Sequence, residues 1–206
     1  MKRLDNSSWL KISGLVVGAI IVIAIFTTLY PRNQEQFMSM AVLGEYAQTS
    51  NYFPNNSSNV TTQTRVQWYL SIYNHMTETK SLVVRVKLLN SSRIYPNVPP
   101  DDVYKTPSPM NAFMQIPLTL SPNETRLIPF TFRIAEIIPG DTYLKVTQIE
   151  VGYQIYTVSM TQANGTQLRL VFELWSYDSS NNLIFSWKIG NDERIVWNQM
   201  WLGVTT

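Results

Sequence analysis

The sequence predicts a mainly β protein, an immunoglobulin-like β-sandwich on a single N-terminal transmembrane helix, and three observations predict it. Apolar and polar residues alternate over most of the chain beyond residue 64, clusters of Gly, Asn, Asp and Ser interrupt the alternation at short intervals, and one run, Ile12–Tyr30, is mostly apolar and carries no charge.

Residues 1–11 form a cytoplasmic leader containing Lys2, Arg3 and Lys11. Residues 12–30, at 1.5 Å per residue, give about 28 Å of helix, close to the thickness of a bilayer's hydrocarbon layer. Trp9 and Tyr30 stand at its ends, where amphipathic rings favour the headgroup layer, and Pro31-Arg32 stops the helix. The basic residues before the run, set against only Arg32 between it and Arg65, place the N-terminus inside and residues 33–206 outside the cell by the positive-inside rule. A cleaved signal peptide is the competing reading, but its apolar core is normally about 7–15 residues and ends in small residues. Here the run is longer and ends Thr27-Thr28-Leu29-Tyr30. Gly14 and Gly18 form a small-xxx-small pair, the helix-packing candidates for a helix-mediated oligomer, although glycine is also common in membrane helices.

Residues 33–206 read as one extracellular domain, with no long Gly/Ser or charged linker dividing them. Val66, Trp68, Leu70 and Ile72 alternate on one face, as do Leu82, Val84, Val86 and Leu88, with a short polar turn, His75–Lys80, between the two runs. Ile128, Phe130, Phe132 and Ile134 repeat the pattern, followed by Leu144 and Val146 and by an extended run around Ile155. Leu168–Leu174 and Leu183–Trp187 flank the turn residues Asp178–Asn182 as a hairpin, and a last strand carries Trp197 and Trp201 on one face with Met200 and Leu202 on the other. Seven or so strands over this length favour two packed sheets, with a closed barrel as the alternative. Residues 46–64 and the proline-rich residues 90–109 read as long surface loops.

The chemistry is mostly exclusion. With 16 Lys+Arg, 14 Asp+Glu and a net charge of +2, nothing in the balance points to nucleic acid. The absence of cysteine removes disulfides, thiolate metal sites, cysteine nucleophiles and lipid attachment through a thiol, and a single histidine removes most acid–base catalysis. No G-x-S-x-G, G-x-x-x-x-G-K, G-x-G-x-x-G or H-E-x-x-H motif occurs, so no catalytic residue and no cofactor is expected. Asp178-x-Ser180-x-Asn182 imitates the start of a calcium loop, but Leu183 and Ile189 stand where glycine and glutamate are needed, and a hairpin turn explains it better. Met38, Met40 and His75 carry thioether and imidazole groups suited to copper(I), with core packing of the methionines as the competing reading. Asn-x-Ser/Thr acceptor sites occur at Asn55, Asn56, Asn59, Asn90, Asn123 and Asn164, and also at Asn6 on the cytoplasmic side. Trp175, Trp187, Trp197 and Trp201 crowd the end of the chain. Most are expected between the sheets, and any of Trp197 and Trp201 left exposed would mark an interface.

The stretches GLVVGAIIVIAIFTTLYPRNQEQF, LGEYAQTSNYFPNN, QWYLSIYNHMTETKSLVVRVKL, FELWSYD and WNQMWLGV are spread along the chain from Gly14 to Val204. In them the chain resembles uncharacterised archaeal membrane-anchored proteins of the domain-of-unknown-function 1616 family, particularly short forms from ammonia-oxidising archaea. The resemblance implies an exported β-rich domain on a membrane helix and transfers no active-site residue. The expected role is that of a non-catalytic module, anchored in the lipid bilayer, that binds another envelope or membrane protein. The alternatives are a copper-handling or accessory subunit of a membrane metalloenzyme and a pilin-like or archaellum-associated surface subunit.

Overall fold

The computed structural model describes residues 6–29, 35–90, 106–189 and 192–206, with side chains described for these except 6–13, 26–29, 188–189 and 192–193. The chain divides into two compact units, 1–35 and 36–206. In the first, a helix α1 covers Asn6–Leu29. Its described side chains, from Gly14 to Ile25, are exposed, including Leu15, Ile20 and Ile23. Among the described residues no helix is long and apolar enough to cross a membrane, so the expected crossing over 12–30 has no support from that quarter. The Trp9 side chain and residues Tyr30, Pro31 and Arg32 lie outside the described set.

The second unit is mainly β, as the alternation predicts. One five-stranded sheet is built, in spatial order, from β1 (Met38–Leu43), β3 (Val66–Asn74), β6 (Thr125–Pro139), β7 (Tyr143–Val151) and β8 (Gln154–Ala163), all antiparallel. A second sheet runs β2 (Asn59–Val60), β13 (Val196–Val204), β9 (Leu168–Tyr177), β4 (Lys80–Asn90), β5 (Met114–Leu120), and β10 (Leu183–Ile184) adds a short pairing to β9. A separate ribbon joins β11 (Trp187–Ile189) to β12 (Asp192–Arg194). The alternating apolar residues of both sheets face each other and form one core, with Trp68, Phe130, Phe132 and Phe172 fully buried at its centre. Trp68 meets Phe53 and Phe172 edge-on, at ring-centroid distances of 5.4 and 6.2 Å, and donates its indole N–H to the Tyr52 carbonyl.

That contact corrects one expectation. Residues 46–64 are not simply a surface loop, because Tyr52 and Phe53 pack on the core, Val60 is buried within it, and β2 pairs in parallel with Gly203 and Val204 of β13. The polar composition hides this, since a single apolar side chain at each contact is enough to anchor a loop.

The turn at 75–79 is also more than a hairpin, since it carries the chain from one sheet to the other. The cause is Asn74, a fully buried amide at the end of β3. Its Nδ2 donates to the carbonyls of Glu78, Leu120 and Ser121 at 3.0–3.1 Å, and its Oδ1 accepts from the Met76 N–H at 3.0 Å. One side chain thereby ties the β3–β4 crossover to the β5–β6 crossover. At the opposite sheet margin Gln162 of β8 grips the Val204 backbone, donating to its carbonyl at 3.1 Å and accepting from its N–H at 2.8 Å. Each amide takes up backbone groups that no neighbouring strand satisfies.

On the five-stranded sheet, Glu150 of β7 accepts from Arg65 Nη2 at 2.9 Å and from Nε and Nη2 of its cross-strand neighbour Arg133 at 2.7 and 2.6 Å. The Arg133 hydrogen bonds, with Arg65 second, hold the Glu150 carboxyl below the usual glutamate range. Glu124 is lowered by the Ser121 N–H and Arg126, and Asp178 by the Asn182 N–H. A carboxyl depressed in the folded state contributes stability above its unfolded pKa and loses it as pH falls through the folded one. Thermal unfolding should therefore be level near neutrality and fall progressively below about pH 5. Glu150→Gln should flatten that acid limb, and an unchanged limb would remove Glu150 from the account.

Candidate interaction surface

The outer face of the second sheet is unlike the solvated outer face that an antiparallel sandwich normally shows. In β9 the residues facing away from the core are Arg169, Val171, Glu173 and Trp175, and the first three are as buried as the core-facing ones. The register aligns Arg85 of β4, Glu173 of β9 and Trp197 of β13 in one row, with Leu89, Arg169 and Trp201 in another. Residues 106–113 pass over this face, anchored by Ser108, which is buried.

Glu173 is the centre of the arrangement. Its carboxylate accepts from Lys87 Nζ at 2.8 Å, from Trp175 Nε1 at 3.0 Å and from the Ser108 N–H at 2.6 Å. Lys87 also donates to the Ser108 carbonyl at 2.8 Å. Both charges are buried and both are satisfied, the condition under which an ion pair is tolerated away from water. Beside them the Arg85 guanidinium lies over the Trp175 ring, 4.0 Å from its centroid. A small apolar cluster of Leu89 and Val171, with Met110 and Trp197 against it, fills the middle of the face.

Further along, Trp201 is 40% exposed. The buried guanidinium of Arg169 sits 4.9 Å from its ring centroid and donates to Gln199 Oε1 at 3.3 Å and to the Asn90 carbonyl at 3.4 Å. Burial pushes the Arg169 pKa down from its ordinary value, because the charged form loses hydration. Among the described residues no carboxylate lies against it.

The four late tryptophans correct a second expectation. Trp187 is buried in the core, but Trp175, Trp197 and Trp201 belong to the outer face. Strand parity decides it, since on β13 the core takes Met200, Leu202 and Val204. The structure brings Trp197 and Trp201 to one face, the former packed on Leu89 and Val171 and the latter open.

The thioether and imidazole candidates are separated. Met38 and Met40 point into the core, whereas His75 meets the Tyr73 hydroxyl at 2.6 Å through Nδ1 and packs on Phe37. The Asp178 segment is a turn whose carboxylate accepts from the backbone N–H of Ser180 at 2.9 Å and of Asn182 at 2.7 Å, with Asn181 at φ 62°. Of the acceptor asparagines, Asn55, Asn56, Asn59, Asn123 and Asn164 are exposed and Asn90 is half-buried, while the Asn6 side chain lies outside the described residues. Asn59 Oδ1 lies so close to Gly203 that a Cβ there would meet it at 2.3 Å. Gly14 and Gly18 are open, with nothing within 4 Å of a Cβ built on either.

Sequence reasoning missed Arg85, Lys87, Arg169 and Glu173. The available signal was Val171 and Trp175 alternating with Arg169 and Glu173 in LRLVFELWSY, an outward row too apolar for a wet face.

No family model and no curated protein matches the chain. Among solved structures it is similar to the CARDB domain of a protein from Pyrococcus furiosus, solved in complex with di-metal ions. The identity is 9% and the TM-score 0.40, over 84% of this chain and 90% of that one.

Proposed function

We infer that this protein is a non-catalytic extracellular interaction module, anchored by the apolar run over residues 12–30, whose outer face around Trp201 binds another envelope or membrane protein. The observation that carries the reading is the pairing of an exposed tryptophan with a buried guanidinium behind it. Trp and Arg dominate the binding energy of interfaces, and a cation held under an indole is pre-positioned to meet a partner's acids. The uncharged run, the basic leader and the acceptor asparagines support an exported, bilayer-anchored chain, and the resemblance to the domain-of-unknown-function 1616 family agrees with that reading.

The test is purification of the tagged full-length protein from native membranes in mild detergent, in parallel with Trp201→Ala. A partner recovered in stoichiometric amount with the unmodified chain should lose affinity by roughly 30-fold with the variant, the effect of a ~2 kcal/mol hot spot. Recovery of the chain alone, or a partner indifferent to Trp201, would count against this face. Release of the chain from membranes by alkaline carbonate would count against the anchor.

A further inference from the structure

Arg85 is the cation on the outer face that the Glu173 cluster leaves over. Its cross-strand neighbour is Glu173, yet both oxygens of that carboxylate are taken by Lys87, Trp175 and Ser108. Among the described residues Arg85 has neither an ion pair nor a hydrogen bond, and its Nε is buried without an acceptor. A buried donor without an acceptor carries a cost, and because Arg85 as a whole is only half-buried a ligand can reach it from solvent.

What surrounds it is a cleft of about 390 Å³ between the sheet and residues 107–112. Arg85, Lys87, Ser108, Asn111, Gln115 and Trp175 contribute to its lining, and among the described residues no acidic side chain does. The Arg85 guanidinium carbon lies over the Trp175 ring, 4.0 Å from its centroid, and a guanidinium held against an aromatic ring can still take two carboxylate oxygens in parallel through its N–H fork. The indole is already occupied by Arg85 on its face and by Phe185 at 5.4 Å, so the site offers a charged fork rather than an aromatic platform. Asn111 and Gln115 supply amide groups beside that fork, and Met110 and Ala112 supply apolar wall.

The geometry points to a carboxylate-binding site at Arg85, with the planar guanidinium as a bidentate donor and the side chains of Asn111 and Gln115 holding the rest of the ligand. It goes beyond the Trp201 reading and does not depend on it, because a free carboxylate suffices to occupy it.

The experiment is titration of the full-length chain in detergent with glutarate, following the Arg85 Nε–H resonance by NMR and assigning it by its loss in Arg85→Lys. The resonance should move saturably. Arg85→Lys, which keeps the charge and removes the fork, should weaken glutarate by about 10- to 100-fold, while Arg126→Gln, at the exposed Glu124 turn, should change nothing. Tighter binding of a capped glutamate-containing tetrapeptide would identify a peptide as the source of the carboxylate, and equal binding a small acid. An unmoved Arg85 resonance, or sulfate displacing glutarate at equal concentration, overturns the assignment. If Arg85→Lys fails to fold, as seen in its amide spectrum, the unmodified chain's own resonance decides. Loss of co-purification in Trp201→Ala leaves this titration untouched, so the two readings fail separately.

Discussion

Replacing Glu173 with alanine is expected to remove about 3–5 kcal/mol of stability, the cost of breaking a buried ion pair from one side. The change strands Lys87 with its ammonium still buried, and it takes the acceptor from the Trp175 indole and the Ser108 N–H. Ser108 anchors residues 106–113 over the sheet, so the loss should also free that segment. A domain of this size has only about 5–15 kcal/mol in total. Urea unfolding would show a lower midpoint at unchanged slope, together with faster amide exchange at Ser108 and Met110. The double change Lys87→Met with Glu173→Leu should recover most of the loss, because a matched apolar pair carries no desolvation cost. If the double variant is no better than Glu173→Ala, the penalty comes from packing and not from the stranded charge.

Trp68→Ala should cost a similar amount, about 3–5 kcal/mol, by a different route. The indole is fully buried among Phe53, Phe130, Phe132 and Phe172, residues of both sheets and of the segment before β2. Its removal leaves a cavity that the two sheets cannot close without moving together, and the Tyr52 carbonyl loses its donor. Trp68→Phe should recover much of the volume but not the hydrogen bond, and so fall between the two. Equal unfolding midpoints for Trp68→Phe and the unmodified chain would show that the Tyr52 contact adds nothing.

How much of this was legible in the sequence follows from what periodicity reports. Alternation records that one face of a strand is buried, and Val66–Ile72, Leu82–Leu88 and Ile128–Ile134 were readable for that reason. It does not record which sheet a strand joins. The crossover after β3 depends on Asn74 meeting the carbonyls of Leu120 and Ser121, far along the chain, and an isolated asparagine in a turn carries no sign of that. The outer-face cluster was hidden for a related cause. Glu173 and Lys87 look like ordinary surface charges until residues 106–113 cover them, and covering is a tertiary event. For the copper candidates, chain proximity suggested a grouping that strand parity prevents, turning Met38 and Met40 inward and His75 toward Tyr73.

The order in which the two sheets are completed bears on how the protein is made. Every strand of the five-stranded sheet has been synthesised once Ala163 is added, whereas the opposing sheet needs β9 and then β13, which pairs with β2 and ends at Val204. Those roughly 40 residues take roughly 2–8 s at about 5–20 residues per second. During that interval the face bearing Trp68, Phe130 and Phe132 has β4, β5 and the segment carrying Tyr52, Phe53 and Val60 to shield it, while β9, the central partner of β4, is complete only at Tyr177 and β13 only at Val204. The nascent domain thus presents its stickiest surface late in synthesis, and it is in this window that a holdase or an export factor has most to bind.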